Sequence, residues 1–227
     1  MLTKFIQPSI EVLNLRIDEP VTTLTDVLLA VICFYAFIRI GRLESAVRGR
    51  KYFRLYFLVL GTGALTGGLL GHAFQYRLTD EWKLISWILT PVSVSLIIQA
   101  LLEVARPWLT GKTAAWISRI NILILFPVLG LTIRYVSFLP VKYYAAFGLI
   151  VMAGSLNYFI FQKSRERGVL FLVGGIGIGF LSMVIFSLEW GFSAWFNHRD
   201  ISHMILCLSV FYMYKGIRMI LVSNAAG

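Results

Sequence analysis

Apolar stretches of about 20 residues, each long enough to cross the hydrocarbon of a bilayer, recur seven times in this chain. In hydrocarbon every backbone N–H and C=O must find a partner inside the protein, which leaves only helices or a closed barrel. None of the stretches alternates apolar and polar residues as barrel strands do, so the pattern predicts helices. The expected spans are 22–40, 56–74, 84–104, 117–138, 143–161, 169–195 and 201–222. Little sequence remains outside them. The 227 residues are therefore expected to form one domain, 1–227, an all-α integral membrane bundle of seven transmembrane helices. Charged residues make up 14% of the chain, against about 25% in soluble domains.

A net charge of +10 would suggest nucleic acid in a soluble protein. Here the cations sit in short loops between apolar runs, where they act as topology signals, and no nucleic-acid partner is expected. Arg39, Arg42, Arg48, Arg50, Lys51, Arg54, Arg106, Lys112, Arg119, Lys163, Arg165, Arg167, Lys215 and Arg218 fall at one end of the bundle, 14 of the 21. Lys4, Arg16, Arg77, Lys83, Arg134, Lys142 and Arg199 fall at the other. The positive-inside rule then predicts an outside N-terminus, a cytoplasmic C-terminus and a multi-pass protein of the cell membrane. The first twenty residues lack a basic start followed by an apolar run, so no cleavable signal peptide is expected. Cys33 and Cys207 lie in apolar runs and read as small core residues. The glycines at 61, 63, 67, 68 and 71, and at 174, 175, 177 and 179, read as close helix contacts rather than a nucleotide loop.

Ionisable groups at membrane depth are costly, usually face the bundle interior, and so become functional candidates. The chain has three histidines: His72 late in helix two, His198 before helix seven and His203 in that helix's first turn. All three are expected at the outward end, with the acids Asp26, Asp80, Glu81, Glu189 and Asp200. Three imidazoles would suit catalytic zinc, which takes three protein ligands and keeps a fourth position for water. Asp26, Asp80 and Asp200 are the candidate catalytic acids, able to orient ligands or handle protons. Blander readings compete. Asp26 and Asp200 could cap helices one and seven, and each histidine could be only a hydrogen-bonding group.

The segments GGLLGHAFQY (67–76), LTDEWKLISW (78–87) and FNHRDISHMILCLSVFYMYKG (196–216) resemble the superfamily of seven-helix membrane hydrolases that contains alkaline ceramidases and adiponectin receptors. EPVTTLTD (19–26) with NHRDISH also resembles a group of bacterial seven-helix proteins. The resemblance implies His72 and His203 as metal ligands and Asp80 as the acid that handles the water. Two features depart from that pattern. Gly68 stands where the superfamily has a serine, with Thr66 the nearest hydroxyl, and the helix-seven histidines are five residues apart rather than four. Residues five apart diverge around a regular helix. His198 would then ligate only from the loop, or Asp200, three residues before His203, would replace it.

The expected function is zinc-dependent hydrolysis of a lipid amide or ester, the substrate arriving from the bilayer and zinc lowering the pKa of its bound water to about 7. The alternative is a non-enzymatic seven-helix receptor or sensor using the same polar pocket. A retinal protein is disfavoured, because Phe211 rather than an acid stands four residues before Lys215. A transporter lacks a repeated pair of broken helices, and a Ser or Cys nucleophile lacks a partnered base.

Overall fold

Among the described residues, seven helices are long and apolar enough to cross a membrane, and they form an all-helical bundle. The structure, a computed structural model, describes residues 7–223; Lys4 and the start of the segment read for a signal peptide lie outside them. A short antiparallel hairpin, β1 (Ile10–Val12) and β2 (Leu15–Ile17), precedes the bundle, with Ile10 opposite Ile17. The spans follow as α1 (Pro20–Gly41); α2 (Arg50–Thr66), prolonged by a π-helical turn over Gly67–Ala73; α3 (Leu84–Ala105); α4 (Gly111–Tyr135); α5 (Leu139–Ala146), joined to α6 (Gly154–Ser164) by a second π-helical turn; α7 (Arg167–Ser187); and α8 (His198–Ser223). Pro91 and Pro127 lie inside α3 and α4, as membrane helices allow.

The helix ends differ from expectation for local reasons. Before α4, the Thr110 hydroxyl accepts from the Thr113 N–H at 3.2 Å, so the helix starts at Gly111 rather than at 117. The sixth span ends at Ser187, not at 195. Glu189 adopts a left-handed backbone (φ 51°), and Phe192 and Ser193 direct their N–H groups to the Phe196 carbonyl in a loop. Its apolarity comes largely from Trp190, Phe192, Trp195 and Phe196, all exposed, and aromatics of this kind favour a membrane interface over the bundle core. Glu189 therefore lies in a loop and not in a helix. His198, expected in a loop, opens α8.

Small residues bring the helices together. A Cβ on Gly168 would lie 2.6 Å from the Gly216 carbonyl oxygen, and one on Gly216 2.5 Å from that of Gly168. Only glycine lets α7 and α8 cross this closely. Packing is unequal along the bundle. Toward the basic end Phe53, Phe57, Ile97, Leu101 and Ile217 are fully buried. Toward the opposite end, where α1 begins and α2 finishes, the helices part around a cavity of about 790 Å³.

Candidate functional site

Asp26 is the centre of the polar end. It lies two turns into α1 with its side chain 8% exposed, and it has an imidazole on either side. Its Oδ1 is 3.3 Å from His203 Nδ1, and its Oδ2 is 3.8 Å from His72 Nε2. The π-helical turn of α2 adds an extra residue to the helical repeat, a distortion common at functional sites, and carries His72 near its end. Gly68 in that turn admits no side chain: a Cβ there would meet Asp26 Cβ at 2.8 Å. The serine expected from the resemblance has no room here, and Thr66 turns its hydroxyl back to the carbonyls of Thr62 and Gly63.

Hydrogen bonding orients both rings. The Thr25 hydroxyl donates its one proton to the Thr22 carbonyl at 2.9 Å. At 3.2 Å from His203 Nδ1 it is therefore an acceptor, and Nδ1 carries the hydrogen. The Nε2 of a neutral His203 is left with a free lone pair. His72 Nδ1 lies 2.5 Å from Glu19 Oε2, which accepts from it. Arg199 Nη1 donates to both oxygens of Glu19, at 2.5 and 2.6 Å. Burial raises the pKa of Glu19, but the hydrogen bond and charge of His72, together with the charge and hydrogen bond of Arg199, outweigh it and bring the group down to about 2. Glu19 also holds a left-handed backbone (φ 44°, ψ 55°) directly before Pro20, a strained position for a non-glycine residue. A continuous chain results: Arg199, Glu19, His72, Asp26, His203, Thr25.

The remaining candidates lie elsewhere. The Asp200 carboxylate, fully buried, accepts from Thr22 Oγ1 (2.7 Å), the Asn197 N–H (2.7 Å) and Gln7 Nε2 (3.0 Å). The Gln7 Oε1 accepts from the N–H groups of Val21 and Thr22. Asp200 is thus a clasp between the N-terminal segment and α8, its oxygens taken up by these donors. His198 packs its ring 5.6 Å from that of Phe186 and does not join the His72–Asp26–His203 group. With both histidines in one helix, the five-residue spacing sends their rings in different directions. The side chain of Asp80 is 71% exposed and is held by Lys83 at 2.7 Å, away from Asp26.

These positions bear on the expected zinc site. Among the described residues no three His, Cys, Asp or Glu side chains converge so as to hold a metal ion. The His72 and His203 ring centroids are 6.4 Å apart with Asp26 beside both, and the third imidazole is engaged with Phe186. The three histidines do not converge on one point in this arrangement.

Glu19, Arg199, Thr25 and Gln7 were not singled out from the sequence as partners. Glu19 is 53 residues from His72 and 180 from Arg199, so no spacing signal links them. The cavity runs from this chain of groups into the bundle, between Thr90 and Val94 of α3, Leu149 and Ile150 of the second π-turn, Ile176 of α7 and Met213 of α8. It is polar at the end of the bundle and largely apolar below.

The fold and site define a class: a seven-helix membrane-type bundle with a hollow, imidazole- and carboxylate-lined end. The chain belongs to DUF6962, a family of unknown function, which it matches over residues 21–222. No curated protein and no solved structure matches it.

Proposed function

We propose that this chain is a multi-pass protein of the cell membrane that draws an amphiphile from the bilayer into its cavity, as a receptor or sensor. The head group would lie against His72, Asp26 and His203, and the tail among Leu149, Ile176 and Met213. One observation carries this reading: a single cavity of about 790 Å³ joins an ionisable end to an apolar interior. That volume falls within the range of about 300–1,000 Å³ usual for small-molecule sites. Ile150 and Phe180 line the cavity and are both exposed, which favours lateral access from lipid between the fifth and sixth spans. The excess of cations at the opposite end favours an outside N-terminus and an outward-facing cavity.

A second reading is cleavage of the bound lipid's amide or ester, the activity implied by the resemblance to the ceramidase and adiponectin-receptor superfamily. It has one supporting observation. Asp26 between two imidazoles, with His203 Nε2 free, is an arrangement suited to passing a proton to and from a water at a bound carbonyl.

The test uses the full chain in non-ionic detergent with a fluorescent short-chain N-acyl sphingosine. Saturable binding without turnover, weakened in His203→Ala, and sub-stoichiometric zinc by elemental analysis are the expected results. Turnover lost in both His72→Ala and His203→Ala would replace the receptor reading with the hydrolase. Near one zinc per chain, lost in both variants, would establish His72 and His203 as metal ligands. Absence of bound probe, and of binding by a long-chain carboxylate as well, would remove the cavity as a ligand site.

A further inference from the structure

We infer that the amphiphile held by this cavity is anionic, with a long apolar chain, and that Lys142 is the residue that recognises its head group. The inference rests on the cavity being a ligand site, as proposed above, and adds the class of ligand.

Four Lys and Arg side chains line the cavity: Arg16, Lys83, Lys142 and Arg199. Three are already neutralised. Arg16 pairs with Asp18 at 2.7 Å, Lys83 with Asp80 at 2.7 Å and Arg199 with Glu19 at 2.5 Å. Lys142 alone has no ion pair among the described residues. It sits in the first turn of α5, three residues past its start at Leu139, or about 5 Å along the axis. The residue is half-buried, and lysines near helix ends often extend their ammonium to the interface, where it is available to a counter-charge. Lys142 forms part of the cavity wall.

His72 and His203 line the same cavity. Asp26 lies between these rings, one oxygen 3.3 Å from His203 and the other 3.8 Å from His72, so its carboxylate has an imidazole on each side. An anionic head beside the Lys142 ammonium would gain a charge-assisted partner, and the apolar space beneath would take its chain. A long-chain carboxylate and a monoacyl phosphate share this chemistry.

Binding to the full chain in non-ionic detergent decides the matter, with palmitate, hexadecanol and acetate as probes on wild type, Lys142→Gln and Lys142→Arg. Palmitate is expected to bind wild type at least about tenfold more tightly than hexadecanol, the effect of one charge-assisted hydrogen bond. Lys142→Gln is expected to abolish that preference and leave hexadecanol unchanged, while Lys142→Arg retains it. Acetate should not compete. Equal binding of palmitate and hexadecanol to wild type, or unaltered palmitate binding by Lys142→Gln, would overturn the role of Lys142 while leaving the cavity a lipid site. Acetate displacing palmitate at similar concentration would make it a free-anion site and overturn the apolar-chain requirement. If neither long-chain probe binds, the ligand-site reading falls with the inference.

Discussion

Glutamine at position 19 should destabilise the protein at neutral pH and leave its stability at strongly acidic pH unchanged. The folded state holds the Glu19 carboxyl at about 2, against an ordinary value of 4.5, because the contacts to His72 and Arg199 outweigh the effect of burial. A lowered folded-state pKa means that the contribution is fully present above about pH 4.5 and is lost as the pH falls through about 2. A shift from 4.5 to about 2 sets a ceiling of about 3 kcal/mol. The Glu19 side chain is 25% exposed, so solvent screening brings the expected contribution to about 1–2 kcal/mol. In a chain of this length that is a melting-point difference of about 2–8 °C. Intrinsic fluorescence of the six tryptophans provides the readout in detergent. Wild type should melt above Glu19→Gln at pH 7, and the gap should begin to close below pH 4.5 and vanish near pH 2. A gap that stays constant from pH 7 to pH 2.5 would refute the reasoning, because the loss would then come from packing rather than charge.

Gly68→Ala should lower stability by about 1–3 kcal/mol, the usual cost of overpacking, because the new methyl would meet Asp26 Cβ at 2.8 Å; a melting temperature equal to wild type would show that α1 and the π-turn can separate freely. His198→Ala should leave probe binding within about twofold of wild type while His203→Ala weakens it well beyond that, since of these two histidines it is His203 that faces Asp26; equal losses in titrations of the two variants would return His198 to the site.

Hydropathy reaches as far as the solvent in which each element sits. It located the spans because in lipid apolar length is itself the folding requirement, and it placed His72, Asp26 and His203 at one depth because depth follows from counting residues along a helix. Rotation about the axis was harder to read. The five-residue spacing of His198 and His203 signalled divergent rings, and the structure adds that His198 lies within α8 and against Phe186. Asp80 has the right depth, but the 3₁₀ turn that carries it points it outward to Lys83. The partners of Glu19 depend on a left-handed residue before a proline, a conformation that propensity argues against. The irregular loop after Ser187 went unrecognised because its aromatic residues count as apolar whether they face hydrocarbon or an interface.

The contrast between a filled basic half and a hollow polar half constrains traffic through the molecule. Below Tyr56 and Met213, which floor the cavity, Phe53, Phe57, Leu101 and Ile217 leave no passage. On the proposed reading, a guest would therefore have to leave by the end at which it entered. Such a vessel can sense, store or modify what it holds, but moving cargo from one leaflet to the other would first require its floor to be dismantled.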